Sequence, residues 1–173
     1  MIVGAVADLW SKSAVFERFY PLEPPFYQEP YWIFEPIFGI QTSTNAGALF
    51  GLGQGYSSLF ASLSVVVLIG VWVWLFVLKA AMDRWLTVTL GLVSGGIIGN
   101  FYDRIGWGYD SARPLEIKYH VRDWILFRLE GVPFFDPWPN FNIADSLLVT
   151  GAIMLVVHAF FFSAPESSPA DKS

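Results

Sequence analysis

Hydrophobic and polar positions along this chain fall in long blocks. No Asp, Glu, Lys or Arg lies between Glu35 and Lys79. Within that stretch Leu59–Leu78 reads LFASLSVVVLIGVWVWLFVL, 20 residues without a charge. About 20 predominantly apolar residues carry a helix across the hydrocarbon core of a bilayer, so this run predicts a membrane span. A short turn, Lys79–Arg84, separates it from a second uncharged run of 18 residues, Trp85–Tyr102. There Gly91, Gly95 and Gly99 recur every four positions. On a helix they stack on one face and let a neighbouring helix approach closely. A third run, Ser146–Pro165, holds His158 as its only ionisable side chain; that histidine is expected to be partnered or interfacial.

The N-terminal stretch, MIVGAVADLWSKSAVF, is apolar but carries Asp8 and Lys12. Four apart on a helix, they share a face and can pair. A lone charge at bilayer depth costs at least ~2.5–3.5 kcal/mol on insertion scales, and a pair turned towards other helices lowers that. The stretch reads as the last part of a first spanning helix whose beginning lies ahead of Met1. A cleavable signal peptide would have a basic leader and no acid inside the apolar run. Four spans put both ends on one side and the long segments 17–58 and 103–144 on the other. Counting Lys and Arg orients the chain only weakly. The long segments hold more of them in total, but Lys79 and Arg84 are dense in the short turn. Long loops count for less, so the short turn is placed inside.

Residues 20–38 hold five prolines among aromatics such as Tyr27, Tyr31, Trp32 and Phe34. Proline forbids a continuous helix, and aromatic rings favour the lipid–water boundary. Residues 31–50 are therefore expected to be extended or turn-rich backbone on the membrane. Residues 1–165 form one expected domain, and the small polar tail 166–173 is expected to be disordered.

Composition sharpens this picture. The 173 residues are 54% hydrophobic and only 14% charged, with mean hydropathy +0.49. Ordinary soluble domains are roughly 25% charged, so a freely soluble monomer is excluded. A net charge of −5 argues against a nucleic-acid partner, which wants a basic face. Zero cysteines remove disulfides, thiol catalysis and thiolate metal sites.

Three polar groups sit where such a chain needs a reason for them. Asn100, Asp103 and Arg104 end the second uncharged run at helical offsets that share a face. Read as structure, they form a helix-end knot, with Arg104 pairing Asp103 and Asn100 satisfying neighbouring backbone. Asn142 and Asp145, in FNIADS, precede the third run. Asn142 is a natural N-cap, but Asp145 abuts an uncharged span and capping explains it less well. Asp123, in HVRDWILF, has apolar neighbours, yet local sequence alone makes it an ordinary solvated loop acid. No HExxH zinc motif and no phosphate loop is present. There is also no GxSxG elbow. Two carboxylates brought together at a membrane surface remain. Adjacent acids share one proton, so that one can activate water while the other donates to a carbonyl. This is aspartic peptidase chemistry, and it needs no metal or cofactor.

These motifs together resemble the bacterial lipoprotein signal peptidase family, signal peptidase II. Asp8-Leu-Trp-Ser-Lys12 is similar to its D-x-x-[ST]-K box, and Asn45–Phe50 to its N-x-G-x-x-F box. Gly95–Arg104 matches GGxxGNxxDR. Val121-Arg-Asp123-Trp124 is similar to V-x-D-F with tryptophan for phenylalanine, and Phe141–Asp145 matches FNxAD. The resemblance implies a membrane all-α fold of four transmembrane helices, with a small extracytoplasmic β-rich cradle in the first outer loop. It implies a membrane aspartic endopeptidase, monomeric, in the bacterial cytoplasmic (inner) membrane with both termini in the cytoplasm. Its substrates would be diacylglyceryl-modified prolipoproteins, cut before the lipidated lipobox cysteine at the extracytoplasmic face. Membrane lipids surround it. By motif, the catalytic pair falls on Asp123 and Asp145. Asn45, Asn100, Arg104 and Asn142 fall on site-supporting positions, and Asp8 and Lys12 on a structural or substrate-proximal pair. The chain departs from the family at Leu9, where glutamine is usual, and in about twenty residues between Asp103 and Asp123. Asp110 is the rival acid there, rejected because GYDSA lacks the V-x-D-aromatic context. The alternative reading is a non-enzymatic four-helix assembly factor or transporter subunit that uses the same polar residues for packing.

Overall fold

The computed structural model describes residues 1–21, 23, 28–47 and 53–162. Four longer helices occur among them. α1 spans Ile2–Phe19, α2 Ser57–Trp72, α3 Arg84–Arg104 and α4 Ile143–Phe161. α2 continues as a π-helical turn, Val73–Val77. By length and composition, 57–77, 84–104 and 143–161 can each cross a membrane. Each of the three uncharged runs thus lies on one of these helices. α1 has 18 residues but carries Asp8, Lys12, Glu17 and Arg18. Its buried face is Ala5, Asp8, Ser11, Lys12 and Phe16, while Ile2, Val3, Val6 and Trp10 are exposed. Polar side chains point inward and apolar ones outward, the arrangement suited to a hydrocarbon surround.

α3 is the central helix. Its glycines admit the neighbours at backbone distance. A Cβ at Gly95 would come within 3.0 Å of the Met1 carbonyl oxygen, and one at Gly99 would run into the Asp8 carboxylate and the Ala144 methyl. Gly96 is closed against the Ala144 carbonyl and Leu148 of α4. The glycine-lined faces thus bring α1 and α4 onto the same half of α3, as their four-residue spacing suggests. α2 packs on α3 rather than on α4.

Four strands form one antiparallel sheet in the order β1 (Tyr31–Phe34), β2 (Phe38–Asn45), β3 (Val121–Phe127), β4 (Trp138–Phe141). The cradle expected of the first loop therefore draws half its strands from the second loop. Two one-residue bulges interrupt the pairing. One lies in β2 between Ile40 and Ser43, the other in β4 opposite Ile125 and Phe127. Bulges re-aim side chains and bend the strand, and these two flank the stretch of β3 that carries Asp123. β4 runs directly into α4 through Asn142. Ala48–Phe50 of the Asn45 box and the tail 166–173 lie outside the described residues.

Candidate functional site

The start of α4 is built by a capping box. The Asn142 side-chain oxygen accepts from the Asp145 N–H at 2.9 Å, and Asp145 Oδ2 accepts from the Asn142 N–H at 3.2 Å. The capping expected of Asn142 is present, but its amide nitrogen does more. Nδ2 donates to Asp123 Oδ1 at 2.6 Å and to Asn100 Oδ1 at 3.2 Å. Asn100 Nδ2 donates to Asp145 Oδ1 at 2.8 Å. One side chain, Asn142, thus touches both carboxylates named from sequence. Asn45 hydrogen-bonds Asp123 from β2.

Asp123 is 2% exposed. It is a sheet residue paired with Ser43, not a solvated loop acid. Burial, and then the negative charge of Asp145, push its carboxyl up from an ordinary 3.8 to about 8. Asp145 sits in the first turn of α4, where the helix end favours negative charge, and its two oxygens take the donors just described.

Beneath this pair lies a buried ionic layer. Lys12 is wholly buried and meets Asp8 at 2.7 Å, Asp103 at 3.1 Å and Asn100 Oδ1 at 3.0 Å. Asp8 Oδ1 accepts the Ala144 N–H at 2.8 Å, tying α1 to the start of α4. Asp103 also accepts the Arg122 Nε–H and backbone N–H, at 2.8 and 3.1 Å. The knot expected at the end of α3 is therefore wired differently. Asp103 pairs Lys12 and Arg122 rather than Arg104, and Asn100 binds side chains rather than backbone. Arg104 reaches instead to the Gly47 carbonyl at 3.1 Å and lies 5.4 Å over the Phe60 ring. Its neighbour Asp103 turns into the layer, so the two diverge.

A cavity of about 410 Å³ opens beside the pair. Asn45, Asn100, Arg104 and Asp145 line its polar side, and Ile97, Phe141, Leu148 and Val149 its apolar side. It can hold an amphipathic chain with one polar bond at the carboxylates. Asp110 is not at this site; it is half exposed beside Arg113. Among the described residues no three His, Cys, Asp or Glu side chains gather as a metal site. His120 stands 3.3 Å from the Thr44 hydroxyl, and burial holds its pKa down. Arg122 is the participant that sequence reading missed. Its signal was its place next to Asp123 on a strand, where successive side chains point to opposite faces.

Comparison with known proteins bears on this geometry. The family model Peptidase_A8, signal peptidase (SPase) II, matches residues 1–161. A lipoprotein signal peptidase of Rhodopirellula baltica is 51% identical over 170 residues, covering 98% of this chain and 74% of that protein. One of Geobacillus kaustophilus is 34% identical, covering 93% and 90%. One of Pseudomonas aeruginosa is 33% identical, covering 91% and 89%. A solved structure described as a bacterial membrane enzyme, determined by the in meso method at 1.9 Å, superposes with TM-score 0.71 at 22% identity. It covers 94% of this chain and 90% of that one. At that identity the likeness speaks for the fold.

Proposed function

The chain belongs to the signal peptidase II family, and on that premise we propose that it removes the signal peptide from lipid-modified prolipoproteins by aspartic catalysis, with Asp123 and Asp145 as the dyad. Peptidase action on prolipoproteins follows from the family and its named relatives. A non-enzymatic assembly or transport role is not favoured. The aspartic mechanism rests on one observation above the others: Asn142 binds Asp123 while capping the helix that presents Asp145, and both face one cavity edge.

Asp123, with its carboxyl pushed up to about 8, holds the proton at neutral pH. It donates to the scissile carbonyl oxygen. Asp145, held by Asn100 and the Asn142 N–H, carries the charge and takes a proton from the attacking water. The proton belongs to the pair, so observed pKa values are those of the dyad. Asn45, Asn100 and Asn142 fix the two carboxylates. Lys12 and Asp8 hold the layer beneath them, and Arg104 borders the cavity. α1 completes four spans, and the site faces the extracytoplasmic side of the cytoplasmic membrane, with the turn 79–84 inside. The apolar cavity wall suits the diacylglyceryl-bearing residue, and the protein acts as a single-domain monomer among membrane lipids. The test is a gel-shift assay on a diacylglyceryl-modified lipobox substrate. Wild type yields the shortened product, and Asp123→Asn and Asp145→Asn yield none while still inserting. Turnover near the wild-type rate by either variant would overturn the dyad.

A further inference from the structure

At the other end of α3 a second polar pair occurs. Asp83 is the N-cap of α3: its Oδ1 accepts the Leu86 N–H at 3.1 Å, and its Oδ2 lies 2.9 Å from His158 Nε2 of α4. The carboxylate remains 42% exposed. Its hydrogen bonds, that to His158 foremost, hold its pKa low, so it is ionised. Lys79 and Arg84, both exposed, are the nearest cations along the chain.

This pair sits at the end of a seam that begins at the carboxylate dyad. α2 and α4 flank α3 without packing against one another. The dyad's cavity takes Ile97, Asn100 and Arg104 from α3, and Leu148, Val149 and Ala152 from α4. A second cavity, about 430 Å³, takes Leu86 from α3, Trp74 from the π-helical turn after α2, and Val156, His158 and Ala159 from α4. Residues 86, 97 and 104 fall on one stripe of α3, as do 149, 152, 156 and 159 on α4. The two cavities therefore open along one face, apolar between a polar site and an acidic end. Seventeen positions separate Asp83 from Asn100, about 25 Å of helix.

We infer that Asp83 is a specificity-determining residue that receives the positively charged leader of the signal peptide when its apolar segment lies in this seam. The inference rests on the peptidase reading above. Signal peptides carry a basic leader, an apolar run of about 7–15 residues and a short cleavage region. A helix with its scissile bond at the dyad brings residues about seventeen positions upstream level with Asp83, where that leader begins. The apolar run then lies against Leu86, Val156 and Ala152, and a lysine or arginine meets the only carboxylate that the described residues place at that end. His158 holds this carboxylate towards the seam.

The test uses full-length enzyme and three prolipoprotein substrates that differ only in the leader, carrying lysines, glutamines or glutamates there. Wild type is expected to show a KM about two- to fivefold lower for the lysine than for the glutamine leader, the range of an exposed ion pair. The glutamate leader is poorer still, and kcat is similar for all three. Asp83→Asn keeps the cap, because Asn caps as well as Asp. It is expected to remove the lysine advantage while leaving the glutamine substrate unchanged. The substrate series on wild type needs no variant. Equal KM across the three leaders, or a lysine advantage that survives Asp83→Asn, would overturn the role of Asp83. Failure of wild type to cleave any leader would instead overturn the peptidase reading.

Discussion

The two ends of α3 hold charge in opposite ways. At the C-terminal end Asn100, Asp103, Lys12, Asp8 and Arg122 form a layer with almost no exposed surface, and each charge has at least two partners. At the N-terminal end a single pair, Asp83 and His158, stands partly in the open. Taking charges from water is expensive, and removing one partner of a buried pair strands the other. An exposed pair loses little when broken. The first end is therefore a foundation that fixes atoms, and the second is a surface able to exchange partners.

The largest blow to the first end is to the dyad. Asp145→Asn should keep the capping bond to the Asn142 N–H while reducing cleavage by at least about 10²–10⁴-fold, the share usual for an acid–base group. Rates from single-turnover cleavage would show it. Next, Lys12→Met leaves Asp8 and Asp103 facing each other without their shared cation. A loss of about 3–5 kcal/mol in unfolding is expected, read by denaturation in detergent. A stability near wild type would mean that the layer is not a foundation. Gly99→Ala is milder. Its methyl meets the Asp8 carboxylate and Ala144, and overpacking of this kind costs about 1–3 kcal/mol.

The pH dependence comes next. Asp123 has its folded-state pKa raised, so between about 4 and about 8 the folded protein holds a proton that the unfolded chain has lost. Its contribution to stability is greatest at low pH and declines as pH rises through that window. Cleavage should also fall on the alkaline side, about tenfold per unit above the dyad's upper pKa. A flat profile to pH 10 would show that no such proton is needed. The smallest effect belongs to the open end: Asp83→Asn should barely move the thermal midpoint, since the cap survives.

Sequence made the apolar elements and the local pairs legible. The uncharged runs lie on α2, α3 and α4, and the i,i+4 spacing of Asp8 and Lys12 gave their 2.7 Å contact. Asn142 and Asp145 were readable because capping involves neighbours. Asp123 was not. Its burial comes from pairing with β2, about eighty positions earlier, and from Asn142, nineteen later. Only the family resemblance pointed to it. Long-range pairing also hid β3 and β4 in a loop of nearly balanced charge. Asp103 illustrates the same limit: helical offsets put it beside Arg104, but they could not say that Lys12 and Arg122 would claim it.

The bond from Ala144 N–H to Asp8 spans 136 positions and joins the first described helix to the last. It closes the same helix start that presents Asp145. A chain still emerging, with α4 not yet seated against α1, would hold Asp145 without its frame and Asp123 without Asn142. Proteolytic competence then arrives only with the final insertion step, so an unfinished copy is a harmless one.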